Sequence, residues 1–168
     1  MPSVRINKNL NRSDVYFLTF TVKNWYYIFD RHNRFEILSD SIRYCQKHKN
    51  LKVFAYVFML NHIHLIVTSP DTIGFVRDFK CHISREIQKN ICAFEPTILR
   101  LFEITKGQYE FWEKTNMPVL IESDKVLQQK VDYIHDNPVR KQYVDDPSHW
   151  VWSSANPKSA LRVDQLET

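Results

Sequence analysis

Residues 57–67 of this 168-residue chain, VFMLNHIHLIV, are apolar and often β-branched except at Asn61, His62 and His64. Such a run reads as strand, and the two-residue period of a strand puts both imidazoles on one face, about 6–7 Å apart along the backbone. Ile63, Leu65 and Val67 then point to the opposite face, where they can anchor the strand in a core. Two neutral imidazoles at that spacing can grip one divalent cation. A histidine pair on a strand also has a plainer reading, as two half-exposed side chains without a ligand, and the tripeptide alone does not choose between them.

The surrounding sequence supplies the partners such a strand needs. Residues 15–22 (VYFLTFTV) alternate and are rich in β-branched and aromatic side chains, which predicts a first strand. Ile37, Leu38, Ile42 and Cys45, at spacings of three and four, predict an amphipathic helix over 35–49. Strands follow over 51–60 and 62–68, with Asn61 at a tight turn or bulge between them. Pro70-Asp71-Thr72 is a helix start, and Ile73, Val76, Phe79, Ile83 and Ile87 mark the buried stripe of a helix running to about residue 92. Residues 93–114 hold no sustained period and read as a mobile connection with room for a short helix. A short strand over 118–122 leads to Ser123, the cap of a helix whose Val126, Leu127, Val131 and Ile134 face a core. Pro138 predicts that this helix stops near Asn137. Strand, helix, strand, strand, helix, strand is the order of a ferredoxin-like α+β sandwich, an antiparallel sheet with helices on one face, here followed by one extra C-terminal helix.

The length suits a single domain over 1–168, with a polar N-terminal arm (1–14) and a C-terminal tail (155–168). A hydrophobic fraction of 43% and an aromatic fraction of 14% exclude a disordered chain. The three cysteines, Cys45, Cys81 and Cys92, form no CxxC pair and lie in helical patterns, so they read as buried free thiols in a reducing cytoplasm. No apolar run approaches the roughly 20 residues of a membrane span, and residues 1–14 lack the core of a signal peptide, so neither membrane insertion nor secretion is expected. The net charge of +4 favours an anionic partner. Candidate phosphate contacts are Arg5, Lys8 and Arg12 in the arm, Lys80 and Arg85 mid-chain, and Arg140 and Lys141 late.

The late helix carries groups that suit the histidine pair. Tyr133 and Asn137 stand four residues apart and share one helical face, while His135 is rotated away from it. A nucleophilic hydroxyl and a neutral oxygen ligand thus arrive together. Because Asn137 precedes a proline, its backbone is expected to leave helical geometry and let the amide swing toward a metal.

Residues 58–66 (FMLNHIHLI) resemble the HUH motif of single-tyrosine transposases of the IS200 type. Residues 133–139 (YIHDNPV) and 150–154 (WVWSS) are similar to the tail pattern of their relatives, the REP-associated tyrosine transposases. The match spans residues 15–154, nearly the whole chain. The resemblance implies a metal-dependent DNA endonuclease and transposase in which a tyrosine hydroxyl attacks a backbone phosphate. That step leaves a 5′-phosphotyrosyl link and a free 3′-hydroxyl, which can reverse it on a new end. Carried over, Tyr133 is the nucleophile, His62 and His64 bind Mg²⁺ or Mn²⁺, and Asn137 is the third ligand; imidazole pairs taken alone prefer zinc or other transition metals. The implied substrate is single-stranded DNA folded into an imperfect-palindrome hairpin, gripped by basic residues and exposed aromatics. IS200-type enzymes work as homodimers in which each tyrosine serves the partner's metal site, and the REP-associated relatives need not. The chain also departs from the pattern: residues 116–118 (NMP) stand where relatives often carry a histidine, residues 93–114 fit poorly, and Arg140-Lys141-Gln142 replace small residues. The alternative is a noncatalytic regulator that keeps the fold and binds hairpins.

Overall fold

A computed structural model describes residues 14–114 and 117–165. Strand β1 (Tyr16–Thr21) leads through a 3₁₀ turn to helix α1 (Arg34–His48), and β2 (Lys52–Phe58) and β3 (His62–Thr68) form a hairpin. Helix α2 (Thr72–Phe94) is followed by a 3₁₀ helix (Pro96–Phe102), the small hairpin β4 (Glu103–Thr105) and β5 (Gln108–Tyr109), strand β6 (Val119–Leu120) and helix α3 (Asp124–Arg140). The main sheet has the order β2-β3-β1-β6 with every neighbour antiparallel, which is the ferredoxin-like arrangement predicted from element order. Among the described residues no helix is long and apolar enough to cross a membrane.

Alternation along the central strands splits the sheet into two faces. Leu18 and Phe20 of β1 and Ile63, Leu65 and Val67 of β3 pack under α1 and α2, against Leu38, Ile42, Phe79 and Ile83. Phe17 of β1 and Ile66 of β3 turn the other way and meet Leu127, Val131 and Ile134 of α3. A register shift between Val53 and Ala55 puts these two residues of β2 on opposite faces. Full burial of one such aliphatic side chain contributes about 1.5–3 kcal/mol, so the double-sided core fixes β3 firmly in register.

The helix ends follow their local chemistry. Asp71 Oδ1 accepts from Gly74 N at 2.8 Å, and a Cβ at Gly74 would strike the Asp71 carboxylate, so the cap requires glycine there. Ser123 Oγ accepts from Val126 N at 3.3 Å, as its position before α3 predicts. Pro138 does not stop α3, and Asn137 stays helical, contrary to the sequence expectation for both. The proline lies two residues before Arg140, so it forfeits one bond, to the Ile134 carbonyl, and disturbs only the last turn. The carbonyls of Pro138 and Val139 accept from Tyr143 N and Gln142 N, a Schellman closure with Gln142 in the left-handed region at φ 58°.

Three further expectations are corrected. Residues 93–114 are structured: Phe102, Phe111 and Trp112 are buried in the α1/α2 core, which ties the 3₁₀ helix and the small hairpin down. The buried stripe of α2 runs through Phe75, Phe79, Ile83, Ile87 and Ile91, so Ile73 is exposed. Cys45 is buried, but Cys81 and Cys92 lie off that stripe and are exposed.

The C-terminal segment closes the free edge of β2. Phe58 N donates to Trp152 O at 2.8 Å, Ser154 N to Tyr56 O at 2.9 Å and Asp164 N to Val53 O at 2.7 Å. Trp152 stacks on Phe35, and Trp150 Nε1 donates to Phe58 O at 2.8 Å, so both tryptophans pack the segment onto the body as expected.

Candidate active site

The face of the sheet beneath α3 carries both histidines. His62 pairs in register with Thr21 and His64 with Thr19, so the polar face of β1 lies opposite the imidazoles. The two rings stand 4.9 Å apart between centroids, inclined by 73°. Phe17 stacks on His64 with 5.2 Å between centroids, and Trp25 meets His62 at 6.0 Å with the rings inclined by 64°.

Helix α3 brings the tyrosine to this pair. Its apolar positions Leu127, Val131 and Ile134 face the sheet, and the turn of 100° per residue then carries Tyr133 and Asn137 over the histidines. The Tyr133 ring lies 5.2 Å from His64 and 6.0 Å from Phe17, both edge-on, and is 38% exposed. Asn137 is buried, and its side chain lies close enough to His62 to favour the protonated ring. His135 points away, as expected: its Nε2 lies 2.8 Å from Ser154 Oγ, a contact that pins α3 to the C-terminal edge segment. The tyrosine reaches the histidines of its own chain.

Each imidazole is held through Nδ1, and the contact at His62 also sets its tautomer. Asn61 Oδ1, which has no proton to give, lies 2.7 Å from His62 Nδ1, so that nitrogen donates and Nε2 keeps its lone pair. Thr19 Oγ1 lies 2.9 Å from His64 Nδ1, while His64 Nε2 is buried with no hydrogen-bond partner. Burial pushes His64 down to about 3, helped by the charges of His62, Arg140 and Lys130. Burial also pushes His62 down to about 4, with Lys141 adding to the effect and Asn137 opposing it. Both rings are therefore neutral near pH 7 and available as ligands.

Two neutral imidazoles, one with an unclaimed nitrogen, and a buried amide form a donor set that fits a divalent cation. Among the described residues no three His, Cys, Asp or Glu side chains converge, and the further polar side chain beside the pair is the buried amide of Asn137. The set carries no negative charge. Cations surround it instead: the Arg140 guanidinium lies 4.3 Å over the Tyr133 ring, and Lys130 Nζ lies 4.5 Å over Phe17 and 5.8 Å over Tyr133. A pocket of this kind attracts phosphate.

The structure thus gathers Tyr133, His62, His64, Asn137, Arg140 and Lys141. It does not gather the remaining basic candidates. Lys80, on α2, belongs to the opposite face, its Nζ 5.9 Å over Phe20 and 3.5 Å from Glu113 O. Arg85 is exposed on the same helix, and Arg5, Lys8 and Arg12 lie outside the described residues. Sequence reasoning missed Lys130, Phe17, Thr19 and Trp25. Thr19 was open to discovery, since alternation places it on the polar side of β1; Lys130 stands three residues before Tyr133, a helical neighbour.

No family model matches the chain. In sequence it is 26% identical over 153 residues to a Haemophilus influenzae protein named as a candidate REP-associated tyrosine transposase, covering 88% of this chain and 82% of that protein. A REP-associated tyrosine transposase solved bound to a REP hairpin superposes with a TM-score of 0.62 at 17% identity, over 98% of this chain and 93% of that one. In sequence and in fold, the chain is similar to REP-associated tyrosine transposases. A candidate transposase from Deinococcus radiodurans shares the fold with a TM-score of 0.50 at 17% identity, over 79% of this chain and 97% of that one.

Proposed function

We propose that this protein is a metal-dependent transposase and single-strand endonuclease that cleaves and rejoins hairpin-bearing DNA through a covalent link to Tyr133. The observation that carries the reading is the meeting, within one chain, of the Tyr133 ring and the neutral His64 at 5.2 Å, with the buried Nε2 of His64 unpartnered. A structural core has no use for that nitrogen. The kinship with REP-associated tyrosine transposases, one of them solved on a hairpin, supports hairpin DNA as the substrate class.

His62, His64 and Asn137 would hold the ion, Mg²⁺ or Mn²⁺. When bound, it polarises the scissile phosphate and offsets the charge that builds on it. Tyr133 Oη forms a bond to phosphorus as the bond to the 3′-oxygen breaks; the phenol loses its proton to solvent and the 3′-oxygen gains one. The product is a 5′-phosphotyrosyl bond and a free 3′-hydroxyl, and the reverse attack by a new 3′-hydroxyl rejoins DNA without ATP. Arg140 and Lys130 flank the ring and hold the phosphate by charge. Asn61 fixes the His62 tautomer from behind, and Thr19 holds the His64 ring in place.

Incubation with flanked hairpin oligonucleotides and Mg²⁺ or Mn²⁺, followed by a denaturing gel, tests this. A covalent protein–DNA band is expected from the wild type and none from Tyr133→Phe. Hairpin binding by the wild type without any adduct would overturn the nuclease and favour a noncatalytic regulator.

A further inference from the structure

Building on that nuclease reading, we propose that Trp25 is the platform on which a base of the single-stranded flank stacks beside the scissile phosphate. Trp112 is buried and Trp150 and Trp152 pack against Phe35, whereas Trp25 is 58% exposed. Its placement is not an accident of a loose loop. Asn24 and Trp25 both adopt left-handed backbone, at φ 54° and 59°, which side chains other than glycine rarely do.

Three hydrogen bonds hold that conformation. Asn24 N donates to Glu113 Oε1 at 2.7 Å, Trp25 N to Val22 O at 2.9 Å, and Asn61 Nδ2 to Trp25 O at 2.9 Å. The turn is thus braced to present a large flat ring outward. The brace leads straight into the candidate site, because the same Asn61 accepts from His62 Nδ1 at 2.7 Å and the centroids of the Trp25 and His62 rings lie 6.0 Å apart. Tyr27, two residues on and also exposed, extends the aromatic surface.

The charge of Lys141 also acts on His62, and Arg140 lies over Tyr133. Cations for the backbone next to an exposed aromatic for a base are the two elements that single-strand grooves combine. A duplex stem offers no free base face, so the partner of Trp25 is an unpaired nucleotide adjoining the phosphate that Tyr133 attacks.

The test compares the full chain on a bare hairpin and on the same hairpin with a single-stranded flank, by fluorescence anisotropy, with adduct formation scored separately. Trp25→Ala should weaken binding of the flanked form about tenfold and leave the bare hairpin within about twofold, with Trp25→Phe largely restoring it. An abasic site in the flank should cost the wild type the same factor and cost Trp25→Ala nothing more. Equal affinity of wild type and Trp25→Ala for the flanked hairpin overturns the platform, even where the wild type forms an adduct and the nuclease stands. A Trp25-dependent preference for the flank with no adduct supports the platform and overturns the nuclease. A wild type that shows no preference for the flanked form also overturns the platform.

Discussion

On the side of β3 that faces α1 and α2, Ile63, Leu65 and Val67 are buried among apolar side chains. On the side that faces α3, His62 and His64 are also buried, yet one ring nitrogen has no partner and cations stand close by. Leaving a buried polar group unsatisfied costs about 1–3 kcal/mol, and folding alone gives no reason to accept that cost. One strand thus serves two ends, with stability on one face and, in the proposed function, chemistry on the other. The first face pins the register that keeps the second in geometry.

The sharpest way to break that comparison is to substitute each face in turn. His64→Ala should abolish adduct formation, a loss of at least about a thousandfold, because the proposed metal ligand is gone, while it lowers stability less than an apolar truncation does, since it also removes the unsatisfied ring nitrogen. Leu65→Ala, its neighbour on the other face, should lower stability by about 2–5 kcal/mol through the cavity it leaves, measured by denaturant unfolding. Loss of activity and of stability in equal measure from both would show that the faces are not separate.

Acid probes the same division. Both histidines titrate well below the ordinary 6.5, at about 4 and about 3, so the unfolded chain binds more protons than the native one as pH falls from 6.5. Stability is therefore full above pH 6.5 and declines as pH falls toward 3, by up to about 1.4 kcal/mol per group per pH unit. Unfolding midpoints across pH 7 to 4 should fall steeply for wild type and less for a variant with both histidines replaced by Gln. Parallel curves would place the acid sensitivity elsewhere.

Metal affinity sharpens the contrast further. Two neutral imidazoles and an amide bring no negative charge, and Arg140 and Lys141 repel a cation. Calorimetric titration with Mn²⁺ should show weak binding to the protein alone and tighter binding once hairpin DNA supplies phosphate. The smallest expected effect lies at the end of α3: Gln142→Gly should raise stability by about 0.5 kcal/mol by relieving the left-handed residue, and unchanged stability would show that the closure carries no strain.

What was legible in the sequence follows the same line. Alternation placed Ile63, Leu65 and Val67 opposite the histidines, and β3 runs over His62–Thr68 as the pattern predicted. The four-residue spacing put Tyr133 and Asn137 on one helical face, and Ser123 capped that helix. Local rules failed where longer contacts decide. Pro138 sits inside α3 because the Schellman closure recovers the carbonyls, and residues 93–114 are ordered because Phe102, Phe111 and Trp112 find the core. The brace of Trp25 depends on Glu113 and Asn61, far along the chain, so no periodicity announces it.

The central claim is that the chemical face of β3 exists to serve one nucleophile. Its most direct test is peptide mass spectrometry of the protein trapped on a flanked hairpin in Mn²⁺ and trimmed with nuclease. The account predicts a nucleotide phosphate on the peptide carrying Tyr133 and on no other; a DNA adduct on any other residue, with Tyr133 unmodified, would contradict it.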